Sequence, residues 1–211
     1  TTGGINNTKL FCSDLARSGL TITSGMALGV DSQAHQSALA VAGKTIAVLG
    51  TGLDIVYPAR NQKLAHQIAD QGALISEFPI GTKPHAHNFP RRNRIICGLS
   101  LGTLVIEASL KSGTLITARQ TMEINRPVMA IPGLIHNPLA KGCHQLIKQG
   151  AKLVESAEEI VEELAPLAQS LNEQLQSKLV ELNSKGQKVE SLESKEMPKG
   201  HQIVYDVISY D

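Results

Sequence analysis

Short apolar runs alternate with longer amphipathic segments along the first 164 residues. The runs 20–23 (LTIT), 45–50 (TIAVLG), 73–76 (ALIS), 103–108 (TLVIEA) and 127–132 (PVMAIP) read as strands, and 151–154 (AKLV) is a weaker sixth. None of them alternates polar with apolar residues, which is the pattern of strands covered on both faces. Helical periodicity falls between them, over 7–18, 32–42, 60–71, 114–124, 141–149 and 156–164. This rhythm predicts an α/β fold: a mostly parallel, Rossmann-like sheet with helices on both faces.

The pattern changes after Pro166. Leu167, Leu171, Leu175, Leu179 and Leu182 recur at spacings of three to four, enough for an amphipathic helix. Residues 184–200 are polar and charge-mixed and read as a linker. An apolar pattern resumes in HQIVYDVISYD, which reads as the first helix of another, incomplete module. The expected organisation is therefore 1–165 as one domain, 166–200 as helix and linker, and 201–211 as the incomplete module. The opening TTGGINN, without methionine, suggests a fragment of a longer polypeptide.

Composition sharpens this picture in two ways. No apolar run reaches the roughly 18–20 residues that span a bilayer, and Cys12, Cys97 and Cys143 are widely spaced and set among apolar residues. Reduced thiols in a cytoplasmic protein are expected, with no metal or disulfide framework. The formal net charge of +1 hides an asymmetry. Residues 1–150 hold fourteen basic against seven acidic residues, a balance of +7; residues 151–211 hold six against twelve, a balance of −6. A basic body points to a polyanionic partner.

In a parallel sheet, ligands bind at the carboxyl ends of the strands. After the first strand, SGMALGVDSQAH offers Ser24, Gly25 and free amides to a phosphate, with Asp31 available as a helix cap. After the second, GTGLDIVYP supplies Gly50 and Gly52, the first two glycines of a dinucleotide fingerprint, but Ile55 stands in the third position. After the fourth, Ser112, Gly113 and Thr114 lead into a helix and form either an anion site or a cap. Three other motifs do not fit their contexts. AGKT (42–45) enters a strand where a P-loop would enter a helix, and GLSLG (98–102) precedes a strand where a nucleophile elbow follows one. His85 and His87 have no third metal ligand nearby.

The densest feature is FPRRNRIICGLS, which puts three of the seven arginines within four positions. Pro90 suits the first turn of a helix, and Arg91, Arg92, Asn93 and Arg94 follow it. A helix N-terminus is already electropositive, so three arginines there are unfavourable unless an anion completes them. Their planar forks match phosphate oxygens, Asn93 can bond a phosphate or base edge, and Phe89 can stack on a base. The alternative is pairing within the fold, to Glu77 or Glu107, expected for at least one of the three.

These stretches, with GKTIAVLGTGLDIVYP, ISEFPIGTKPHAHNFPRRNRIICGLS, VIEASLKSGTLITARQ and AIPG in order, resemble the DNA-processing protein A family, DprA or Smf. The resemblance covers about residues 1–164. It implies a Rossmann-like domain that binds single-stranded DNA, dimerises and hands the strand to the RecA recombinase during natural transformation, without enzymatic activity or cofactor. It implies DNA contacts at Asn93, Arg94 and the neighbouring arginines, at Ser24 and Gly25, and around Arg60 and Asn61. It also implies self-association through 142–154, with His144 and Leu153 as contacts. Tyr57 joins Phe89 as a candidate for base stacking. Two departures stand out: the family's Gly-Ser/Thr-Arg turn ahead of TTGG is not in this sequence, and Ala59 with Arg60 follows Tyr-Pro where some members place lysine. Weaker binding than in an intact relative is the expectation.

The rival reading is a nucleotide hydrolase resembling the lysine-decarboxylase-like phosphoribohydrolases. Gly102, Thr103 and Glu107 only partly mimic that motif, and its paired glycines are missing. A protein-interaction scaffold, with the arginines serving salt bridges alone, is the third reading.

Overall fold

A computed structural model describes residues 1–184; the readings for the rest of the linker and for 201–211 lie outside the described residues. Six strands form, in the order expected: β1 (Ile22–Ser24), β2 (Thr45–Val48), β3 (Ala73–Ile75), β4 (Thr103–Val105), β5 (Val128–Ala130) and β6 (Lys152–Leu153). All pairings among them are parallel. The helices are α1 (Thr2–Arg17), α2 (Val30–Ala40), α3 (Gln62–Gln71, entered through a 3-10 turn at Ala59–Asn61), α4 (Asn88–Leu99), α5 (Thr114–Glu123), α6 (Lys141–Lys148) and α7 (Ala157–Ser184).

The strands make two three-stranded units, β1-β2-β3 and β4-β5-β6. Set edge to edge they give the doubly wound order 3-2-1-4-5-6. The two inner edges, β1 and β4, line one groove and share no backbone hydrogen bond.

Alternation along β5 shows helices on both faces. Met129 points into a core with Phe11 and Leu15 of α1 and Ile160 and Leu164 of α7. Its neighbours Val128 and Ala130 point the other way, to Ala118 of α5 and Cys143 and Leu146 of α6. A third cluster fills the first unit, where Ala47 and Leu49 meet Leu64, Ala65 and Ile68 of α3. All three cysteines are buried, and burial pushes the Cys12 thiol up to about 12.

Two helices differ from the sequence expectation. Helix α1 starts at Thr2, five residues before the periodic signal. Gly3 and Gly4 disfavour a helix by about 1 kcal/mol each relative to alanine. Burial of Phe11 and Leu15, worth about 1.5–3 kcal/mol each, outweighs that, and the Thr1 hydroxyl caps the helix by accepting from the Gly4 N–H at 3.0 Å. Gly4 is needed for contact: a Cβ there would collide with the Glu107 carboxylate. Helix α7 runs through Pro166, so the expected break becomes one helix of 28 residues. Ser156 and Glu159 start it: the Ser156 hydroxyl accepts from the Glu159 N–H at 3.4 Å, and the Glu159 carboxylate accepts from the Glu155 N–H at 3.0 Å. Beyond the core, Leu171 and Leu175 of this helix are exposed.

Candidate nucleic-acid interface

Helix α4 carries the arginine cluster and has two faces of opposite character. Its inner face is Asn88, Arg92 and Cys97, all buried. Asn88 Nδ2 donates to the Gly50 carbonyl at 2.9 Å. Arg92 is only 5% exposed, and its guanidinium donates to the carbonyl of Gly25 at 2.7 Å and to that of Val48. Its Nε donates to Asn93 Oδ1 at 3.1 Å. Burial pushes the Arg92 pKa down, and the Asp31 carboxylate opposes that shift. Arg92 thus ties α4 to the ends of β1 and β2 and is not presented to solvent.

The loop after β1 is filled by the protein's own anion. Asp31 Oδ2 accepts from the N–H groups of Gly25 at 3.2 Å and Ala27 at 3.1 Å. Asp31 therefore ties the loop and leaves helix α2 without a side-chain cap, and the Gly25 amide expected to meet a phosphate already has a partner. Gly25 itself is required because a Cβ would sit 2.6 Å from the Arg92 guanidinium. Asn61, expected at the surface, is buried; its Nδ2 donates to the Met26 carbonyl at 2.7 Å and to Ser32 Oγ at 2.9 Å. This holds Met26, fully buried with a φ of 68°. Gly50 admits the Phe89 ring, which a Cβ would approach to 2.7 Å. The N–H of Gly52 donates to the Thr82 carbonyl at 3.0 Å. Both glycines serve close packing of the chain on itself.

The outer face of α4 is different. Arg91 and Arg94 are 64% and 58% exposed at the side chain, and both reach the Glu77 carboxylate, Arg91 at 3.5 Å and Arg94 in direct contact. The expected pairing inside the fold is found here twice, whereas Glu107 instead holds the α-amino group of Thr1 at 2.9 Å. The second Glu77 oxygen is buried without a partner. Arg91 also lies over the Phe78 ring, 5.7 Å from its centroid. Phe89 is the hinge between the faces: Arg92 sits 5.8 Å from its centroid and Tyr57 packs on it at 5.5 Å. Tyr57 is 48% exposed, and the same loop carries exposed Arg60.

The C-terminus of α4 is held by a residue the sequence reading passed over. Arg126 donates to the carbonyls of Cys97 at 2.7 Å, Gly98 at 2.8 Å and Ser100, satisfying the last turn and complementing its partial negative charge. Ser100 ends α4 ahead of β4, with its hydroxyl donating to the Ile96 carbonyl at 2.8 Å. The loop after β4 is self-capped: Ser112 Oγ accepts from the Thr114 N–H at 3.2 Å and donates to Thr114 Oγ1 at 2.9 Å, and Gly113 is the N-cap of α5. Ser24, Gly25, Phe89, Arg92, Asn93, Ser112, Gly113 and Thr114 line the groove between the half-sheets. His144 and Leu153 lie apart from these, on α6 and β6; His144 Nε2 is 2.9 Å from the Gly133 carbonyl, and Leu153 is 43% exposed.

Residues 1–165 match the family described as DNA recombination-mediator protein A. The chain belongs to that family. Protein Smf of Escherichia coli K12 is 57% identical over 152 residues, which is 72% of this chain and 41% of Smf. The DNA processing protein DprA of Streptococcus pneumoniae is 50% identical over 140 residues, 66% of this chain and 50% of that protein. The chain thus spans about half the length of these relatives. Among solved structures, the X-ray structure of DprA from S. pneumoniae superposes with a TM-score of 0.72 at 44% identity, covering 77% of this chain and 57% of that one. DNA processing protein A from Helicobacter pylori, whose structure concerns a unique single-stranded DNA binding mode, superposes with a TM-score of 0.71 at 30% identity, covering 79% and 75%. The Rossmann-like fold expected from the sequence is therefore that of the family.

Proposed function

We propose that this chain is a non-enzymatic binding module for single-stranded DNA, using the outer face of α4. One observation carries the reading: Arg91, Arg94 and Arg60 are exposed beside an exposed aromatic, Tyr57. Cations that follow a phosphate backbone and a ring that stacks on a base are the two elements of sequence-tolerant single-strand binding. The H. pylori relative, with its single-stranded DNA binding mode, supports the same reading. Arg92 and Asn61 shape this surface from beneath, and Asn93, Ser24 and the 112–114 turn stand at the mouth of the adjoining groove.

The reading extends to a cytoplasmic homodimer that protects incoming strands in natural transformation and loads RecA on them. Leu153, exposed on the edge strand β6, and His144 on α6 are the proposed self-association contacts. Among the described residues no helix is long and apolar enough to cross a membrane. The test is fluorescence anisotropy with labelled oligo-dT and a matched duplex over a series of salt concentrations. Single-strand preference that weakens steeply with salt supports the reading; equal binding of duplex, or affinity indifferent to salt, overturns it.

A further inference from the structure

We propose that His85 and His87 form a stacking platform for one nucleobase of single-stranded DNA, in line with Arg91 and Arg94. The proposal rests on the DNA reading and adds a base subsite to it.

The two rings are paired in the open. Their centroids are 5.6 Å apart and their planes 12° from parallel, an offset stack. Both residues are exposed. Among the described residues the two rings stack only on each other. The arrangement does not suit a metal ion: ring lone pairs lie in the ring planes, and nearly parallel planes do not converge on one centre. What the pair offers is a flat aromatic face.

The backbone around the pair holds it in place. The Asn88 N–H donates to the His85 carbonyl at 2.9 Å, closing the turn that carries both histidines. Asn88 is buried, with Nδ2 on the Gly50 carbonyl at 2.9 Å just past the end of β2, and the Phe89 ring packs on the same Gly50. Pro84 enters the turn with its φ fixed. A turn clamped to the sheet presents its rings with little freedom left to lose, which lowers the cost of binding.

Placement on α4 indicates the ligand. His87 is the N-cap of α4, and Arg91 and Arg94 follow at i+4 and i+7, so the three lie on one stripe of the helix. Arg91 lies about 4.5 Å along the axis from Arg94, and His87 about 6 Å beyond Arg91. In the other direction the stripe reaches Gly98 and carries no ring. Phe89, through which Tyr57 meets the helix, is off this stripe. A run of phosphates laid along Arg94 and Arg91 therefore brings its next base to the histidine pair. Bases turn free faces outward only in single strands, and every base has such a face. The platform accordingly takes unpaired bases without regard to sequence.

The experiment uses the whole chain and two labelled probes of equal length: oligo-dT, and an oligomer with the same phosphodiester backbone carrying abasic sugars. Affinity is read by anisotropy, and the imidazole C–H signals of His85 and His87 by NMR. Oligo-dT should shift both imidazoles upfield through base ring currents, and the abasic probe should not. His85→Ala with His87→Ala should weaken oligo-dT about tenfold while leaving abasic binding unchanged. His85→Phe with His87→Phe should restore oligo-dT binding. Equal losses for the two probes overturn the proposal, by reducing the histidines to charges or to a structural role. So does a phenylalanine pair as weak as the alanine pair. Binding of both probes without the upfield shift overturns the platform alone, whereas a parent that binds neither probe overturns the DNA reading and the platform together.

Discussion

The two faces of α4 hold the same residue type in opposite service. On the inner face Arg92 is buried and spends its donors on carbonyls of Gly25 and Val48. On the outer face, Arg91 and Arg94 stand in solvent around one carboxylate. A charge buried in a hydrogen-bond network is costly to disturb, whereas an exposed ion pair contributes roughly 0–1 kcal/mol. A guanidinium's role is thus decided by what surrounds it, and the comparison predicts which substitutions affect the fold and which affect only binding.

Arg92→Ala should have the largest effect, a loss of about 3–5 kcal/mol of stability in urea unfolding, because it strands two buried carbonyls. A variant as stable as the parent but unable to bind DNA would break the comparison outright. Next comes acid. His35 is fully buried, with Nδ1 2.7 Å from Thr45 Oγ1 and Nε2 unpartnered. Burial, helped by the Arg92 charge, lowers its pKa from 6.5 to about 4. The unfolded chain then takes up a proton before the folded one does, so stability is full above pH 6.5 and declines as pH falls towards 4. The total loss is about 3 kcal/mol, read as a pH-dependent midpoint that His35→Gln should flatten.

The outer face should respond mainly in binding. Tyr57→Ala should weaken oligo-dT by about 1–2 kcal/mol, roughly tenfold, if the ring stacks on a base. Arg91→Ala with Arg94→Ala should lower the log–log salt slope by about 0.7 per arginine, at a cost in stability because Glu77, only 15% exposed, loses both of its cations. A slope that stays put would show that neither meets a phosphate. Smallest is Glu77→Gln, expected to tighten binding a few-fold by freeing both arginines; weaker binding would mean that Glu77 orients them productively.

How much of this was legible beforehand differs between the strands and the helix. Six apolar runs without alternation marked the strands along the chain, since burial on both faces leaves a direct mark on composition. The start of α1 was hidden because it depends on Thr1 and Glu107, distant in sequence. The pass through Pro166 was hidden because proline reads locally as a break. Within the cluster, composition could not say which arginine is buried. One signal was available: Arg92 lies four residues after Asn88 and four before Ile96, a helical stripe that Arg91 and Arg94 do not share. The self-filling of the loop after β1 by Asp31 left no trace, since the same aspartate reads equally well as a helix cap.

The carboxylate of Glu77 has a further consequence. Any anion arriving at Arg91 and Arg94 meets a site already occupied by a tethered competitor at full local concentration. A lone phosphate or chloride would have to displace it with a single charge, whereas a polyanion bound as proposed would present many charges in a row and could share the arginines with Glu77. On the proposed reading the surface would have a threshold, favouring a polyanion over a lone phosphate or chloride.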